Sequence, residues 1–211
     1  MKARLEALAL RAGMAIPILY FGSVLAAAFF YPGFSFVRQY ASELGADGAP
    51  HPRILNGGLM LLGVASVIAA AGLWRGLRRL GARPLPARWT GWIVALFGTA
   101  MGFAGYYPHP DWRHSGFGTS FLVLGGPILL AAALRERRDA RALRLYLLGT
   151  NICMIVLAVA LLLTGHSPYA GLLQLLYSLA AIPWMGIGAF ALSRYLSRMP
   201  AASWVEPREP A

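Results

Sequence analysis

Charge is scarce in this chain, and negative charge most of all. Of 211 residues only 8 are Asp or Glu, and 13% are charged at all, against roughly a quarter in a soluble domain. Hydrophobic residues make up 58%. One soluble core of this length cannot take up that much apolar side chain, so the composition excludes a water-soluble globular domain and points to lipid as the solvent. Cysteine is almost missing too. A single residue, Cys153, excludes an intramolecular disulfide and reads as a small buried hydrophobe within an apolar run. The short signatures of common hydrolytic chemistry are absent: there is no HExxH, no CxxC pair and no GxSxG.

What is present is a series of long apolar runs. A bilayer core needs about 20 mostly apolar residues per helix. Six stretches qualify, near 14–31, 54–73, 89–107, 116–134, 145–164 and 171–193. The first also fits a cleavable signal peptide in its basic start and small residues, but an even, charge-consistent set of spans needs it as an anchor. The expected fold is all-α: a polytopic integral membrane protein with six transmembrane helices in one bundle over residues 1–195. The Pro- and Ala-rich stretch 196–211 is expected to be a disordered cytoplasmic tail.

The positive charge sorts by loop. Of the 19 basic residues, all but Arg38, Arg53 and Arg113 fall at the N-terminus, between spans two and three, between spans four and five, or in the C-terminal tail. Basic loops stay on the cytoplasmic side, which places both termini inside a cell (inner) membrane crossed several times. The net charge of +11 is thereby explained by topology and by contact with anionic headgroups at the arginine-rich loops. Nucleic acid is not an expected partner, because the arginines lack interleaved stacking aromatics.

The four histidines behave oppositely. His51, His109, His114 and His166 all fall in the other set of loops. So do Glu43, Asp47 and Asp111, balanced by three arginines. Two segments there are stiffened by proline: YYPHPDWRHS at 106–115 and GHSPY at 165–169. Asn56 lies just inside span two, and Gln174 just inside span six. Each such residue also has a plain structural reading, as an interfacial anchor, a helix cap or an ion-pair partner. The functional reading rests on three separate loops converging on one polar layer.

Neutral imidazoles with a carboxylate make a zinc donor set. His51, His109, His114 and His166, with Asp47 or Asp111, supply the atoms but not a recognised spacing, so no cofactor is expected. A serine nucleophile at Ser42, Ser115 or Ser167 lacks an orienting carboxylate pair. No ionisable side chain sits at a span centre, which argues against an ion-coupled transporter or proton relay. Thr150 and Asn151 form a polar pair suited to interhelical hydrogen bonding. Span three carries small residues at 91, 95, 98, 102 and 105, including a GxxxG. Span four carries Gly118, Gly125 and Ala132. Tight packing of spans three and four is expected from this, with a homo-oligomer face as the alternative. Pro183 is expected to kink span six.

Taken together, Ser42, Leu44, Gly45 and Pro50, then Asn56 and Gly57, then Gly105, Pro108 and His114, then Gly171, Gln174 and Trp184, form a pattern. It resembles the six-span prokaryotic membrane family catalogued as domain of unknown function 998, over about residues 12–195. The resemblance implies the six-span architecture and marks Ser42, Asn56, His114 and Gln174 as family-pattern polar residues. It implies no reaction. Two positions depart from the usual pattern: His109 replaces an acidic residue, and Leu175 replaces an arginine.

The functional expectation is a ligand-binding membrane protein. Its polar outer layer (Ser42, Asn56, Asp111, His114, His166 and Gln174) would hold a lipid headgroup, a small amphiphile or a partner. The alternatives are a small permease for neutral or amphiphilic solutes and a metal-dependent lipid amide or ester hydrolase at the outer leaflet.

Overall fold

The computed structural model describes residues 2–115, 119–164 and 167–199. Among them every regular element is helical. The α-helices are α1 (Lys2–Phe29), α2 (Pro52–Arg79), α3 (Pro84–Tyr106), α4 (Gly126–Ala133), α5 (Arg141–Thr164), α6 (Ala170–Ala181) and α7 (Pro183–Ser197). The expected tail begins inside α7, at 196 and 197, and its residues 200–211 lie outside the described part of the chain.

Proline sets several helix starts. Pro52, Pro84, Pro127 and Pro183 each occupy the first or second helical position, where no intrahelical N–H is required and φ is already helical. Beyond the end of α2, Gly81 adopts φ +81°, a left-handed conformation that glycine takes without penalty.

Four stretches are long and apolar enough to cross a membrane: Arg4–Phe29, Pro52–Arg79, Arg138–Thr164 and Ala170–Ser197. A shorter apolar helix covers Phe121–Ala133. The remaining expected span is α3, 23 residues long, with its apolar character diluted by Arg88, two threonines and four glycines. One span differs in form from expectation, and another breaks at the proline expected to kink it. The described part of the run at 116–134 is a 3-10 helix, Thr119–Gly125, followed by the two turns of α4. The last run is two helices, α6 and α7, divided at Ile182, because Pro183 cannot donate to the carbonyl four residues back.

Helix directions follow from close approaches. Gly58 meets Ser23 and Gly72 meets Ala9, so α1 and α2 are antiparallel. Gly91 meets Ala70 and Gly105 meets Asn56, so α2 and α3 are antiparallel. Gly186 rests on Pro17 and Gly13 faces Ala189, so α7 runs against α1.

The small-residue stripe of α3 has a different main partner from the one expected. A Cβ on Gly63 would stand 2.7 Å from the Gly98 carbonyl, and one on Gly98 would stand 2.5 Å from Ser66 Cβ. The stripe is therefore the α2 interface, and it lets the two backbones touch. The fourth run meets α3 elsewhere, and its own Gly126 is filled by the Trp184 ring, 2.3 Å from where a Cβ would sit. Asn151 Nδ2 donates to the Leu124 carbonyl, joining α5 to the 3-10 helix before α4. Cys153 is exposed on the outside of the bundle rather than buried.

One end of the bundle carries the arginine-rich segments and is well packed. Leu73, Leu77, Leu134, Trp184, Met185 and Leu192 are fully buried there. Its rim is tied by Glu6, whose carboxylate meets Arg79 Nη1 at 2.7 Å with only 8% of the Glu6 side chain exposed. The opposite end carries the 30–51 and 107–115 loops and is not filled.

Candidate functional site: a cavity beneath the loops

The first loop is folded onto α6 by backbone as much as by side chains. Leu172 N–H donates to the Val37 carbonyl at 3.0 Å. A Cβ on Gly171 would lie 2.2 Å from the Gln39 carbonyl oxygen, so only glycine permits this approach. Gln174 Oε1 accepts the Ala41 N–H at 2.6 Å. Glu43 holds the following 3-10 turn, Ala41–Gly45, by accepting from Tyr40 N at 2.8 Å and from Gln39 Nε2 at 3.3 Å. On the other side, Asn56 Nδ2 donates to the Gly45 carbonyl at 2.9 Å. Asn56 thus fastens the end of the turn to α2.

The loop after α3 is built around Asp111. Its carboxylate takes Arg113 Nε at 3.0 Å, Arg113 Nη2 at 2.6 Å and the Arg113 backbone N–H at 2.9 Å. The side-chain hydrogen bonds from Arg113 hold the Asp111 carboxyl down at about 2, well below the ordinary carboxylate value. Asp111 in turn raises the Arg113 guanidinium, which also stacks 3.8 Å over the Tyr107 ring. Directly after this clamp stands His114, with Nδ1 at 3.0 Å from the Tyr107 carbonyl. A carbonyl can only accept, so Nδ1 carries the proton and Nε2 is left for another partner.

Beneath both loops lies a cavity of about 380 Å³. Three of the six sequence-predicted residues, Ser42, His114 and Gln174, line it together. Asn56 and Asp111 do not line it; they hold the segments that carry Ser42 and His114. His166 lies outside the described residues. The walls are apolar, from Val24 of α1, Leu59 of α2, Met101 of α3 and Ala158 of α5. Deep in the cavity Tyr20 Oη and Ser178 Oγ share a hydrogen bond of 2.9 Å. Tyr177, on the same helix as Ser178, is a further polar lining residue. Sequence reasoning missed these three. Their signal was a hydroxyl in the middle of an apolar run, which Tyr20 and Ser178 satisfy by bonding each other across α1 and α6.

The cavity opens sideways. Phe121 and Leu162 belong to its lining, yet they are 51% and 73% exposed. Large apolar side chains with that exposure form a rim suited to an apolar environment. The opening therefore lies between the 3-10 helix Thr119–Gly125 and the C-terminal turns of α5.

The three described histidines do not gather at one point. His51 packs edge-on to Phe30, with ring centroids 5.5 Å apart. His109 and His114 stand 6.0 Å apart, edge to face. Among the described residues no three His, Cys, Asp or Glu side chains come together in a way that could hold a metal ion.

The sequence pattern of a family described as a protein of unknown function (DUF998) matches residues 14–191 of the chain. No curated protein and no solved structure matches it.

Proposed function

The chain belongs to the DUF998 family, and on that premise we propose that it is a six-span membrane protein that binds an amphiphile from the bilayer. In this reading the arginine end faces the cytoplasm, as the positive-inside rule requires. The cavity then lies in the outer half of a cell membrane, with both termini inside. The amphiphile's polar head meets Ser42, His114 and Gln174, and its chain leaves between Phe121 and Leu162 into the outer leaflet.

The observation that carries this is one cavity with two kinds of wall. Polar side chains from separate loops line its upper part, and an exposed apolar rim forms its mouth. A pocket for a purely polar solute has no need of a hydrocarbon-facing mouth. A filled inner half favours binding over passage, since the side chains beyond Tyr20 and Ile182 are closely packed. At the arginine end, Arg138, Arg141 and Arg144 surround a surface indentation floored by Leu145 and Leu148. That combination suits the phosphate and first methylenes of an anionic lipid.

Photo-crosslinking tests the reading. Full-length protein in lipid nanodiscs is irradiated with a fatty amphiphile carrying a diazirine on its chain, and adducts are mapped by mass spectrometry. Adducts concentrated at 121–123, 158–162 and 177–182 are expected. An even spread over exposed positions such as Leu145, Ile152 and Phe190 would overturn it.

A further inference from the structure

The cavity's hydrogen-bonding groups carry information on the ligand head, on the reading that an amphiphile binds there. Among the described residues no Lys, Arg, Asp or Glu lines the cavity. Arg113 is the nearest cation in sequence to a lining residue, and it is spent on Asp111 and Tyr107. Glu43 is spent on the loop backbone and Gln39. A charged head would thus leave water for a site with no counter-ion, at a cost of several kcal/mol.

The neutral groups divide into spent and unspent. Tyr20 and Ser178 satisfy each other. Gln174 has committed its Oε1 to Ala41, which leaves its amide N–H groups as donors. His114 has committed Nδ1 to Tyr107, which leaves Nε2 as an acceptor. Ser42 Oγ and Tyr177 Oη hydrogen-bond to none of the described residues, and each can donate or accept. The unspent set is two amide donors, one imidazole acceptor and two hydroxyls. It matches a compact head that both accepts and donates, such as hydroxyls beside an ester or amide carbonyl.

We propose that the natural ligand is an uncharged, hydroxyl- and carbonyl-headed lipid of the monoacylglycerol or N-acyl amino-alcohol kind. The volume of about 380 Å³ stands near the lower end of the roughly 300–1,000 Å³ range of small-molecule pockets. It admits a small head and the upper part of one chain, not a two-chain phospholipid. His114 Nε2 accepts a head hydroxyl. The Gln174 amide donates to the carbonyl oxygen. Ser42 and Tyr177 complete the ring.

The test holds the chain constant and varies the head. Full-length protein in nanodiscs is equilibrated with radiolabelled monooleoylglycerol, and unlabelled oleate, oleylamine and oleoyl lysophosphatidate at pH 8 compete for it. Saturable binding is expected, with each charged competitor weaker than unlabelled monooleoylglycerol by at least about tenfold. Tyr177→Phe and Ser42→Ala should each weaken it several-fold, and Ala158→Phe should block the site. Charged heads competing as well as monooleoylglycerol would overturn the ligand class while leaving amphiphile binding intact. If no oleoyl amphiphile binds saturably, or binding ignores both Ala158→Phe and Leu161→Phe, ligand class and cavity reading fall together. Tryptophan fluorescence and gel filtration identify any variant that has not folded, and the other variant then decides.

Discussion

Gln174 and Ala41 are 133 positions apart in sequence and 2.6 Å apart in space. Through that bond the first loop hangs from the sixth apolar run, and the Gln174 side chain closes the cavity roof. Gln174→Leu removes the acceptor and leaves a half-buried N–H without one. A destabilisation of about 1–3 kcal/mol is expected for such a group, read as a lower thermal midpoint in detergent. Gln174→Glu restores the acceptor and should recover the stability while placing a charge in the cavity.

The two glycines of the α3 GxxxG should respond differently. Gly98→Ala drives a methyl group into Ser66 and the Gly63 backbone, an overpacking that costs about 1–3 kcal/mol. Gly102→Ala meets nothing within 4 Å and should be neutral or stabilising by up to about 1 kcal/mol through helix propensity. Equal effects at both positions would show that the stripe serves some contact other than α2. Thermal melts of the two single variants suffice.

The Asp111–Arg113 clamp sets a pH window. Arg113 lowers the Asp111 carboxyl from 3.8 to about 2. The pair's contribution is therefore complete above the ordinary carboxylate value and fades as pH falls through about 2. Carbon-13 NMR of labelled aspartate should show the Asp111 carboxyl still ionised at pH 3. Arg113→Gln should bring its midpoint back towards the ordinary value and loosen the link between Tyr107 and His114.

The Glu6–Arg79 contact joins the first turns of α1 to the last turn of α2. Glu6→Gln breaks a pair in which one partner is nearly buried. Loss of a buried partner costs about 3–5 kcal/mol, and the 21% exposure of the Arg79 side chain moves the expected loss below that range. Chemical denaturation in detergent would measure it, with Leu5→Ala as an exposed control.

The orientation is open to a labelling test. In a Cys153→Ser background, Asp47→Cys should react with a membrane-impermeant maleimide on intact cells. Arg138→Cys should react only after permeabilisation. The reverse pattern would turn the bundle over and put the cavity in the inner leaflet.

Much of this fold was legible because the bilayer imposes simple rules. Runs of about 20 apolar residues and the sorting of arginines by loop locate the helices and the two ends. The small-residue spacing of α3 revealed a contact face, but nothing local to α3 names the partner, and Gly63 and Ser66 on α2 turned out to meet it. The run at 116–134 looked like one helix because hydrophobicity does not distinguish an α-helix from a 3-10 helix. At the site, Ser42, His114 and Gln174 were visible as polar residues beside apolar runs. Tyr20 and Ser178 were not, since a pair 158 positions apart is recognisable only once α1 and α6 are side by side. Asp111 and Asn56 were visible in the same way, and in the structure they stand behind the cavity lining. The Asn56 Nδ2 bond to the Gly45 carbonyl and the Asp111 bonds to Arg113 fasten the two loops.

The division at Ile182 has a further consequence. Above it, α6 supplies Gln174, Tyr177 and Ser178 to the cavity wall. Below it, α7 is locked by Gly186 on Pro17, Trp184 on Gly126 and Gly188 on Leu130. A helix running unbroken through both would pass any change of its upper pitch or tilt into the lower packing. The proline joint insulates one from the other. Cavity-facing positions of α6 such as Tyr177 can thus be exchanged without relaying the foundation under them, whereas Gly171 and Gln174 also carry the weight of the first loop.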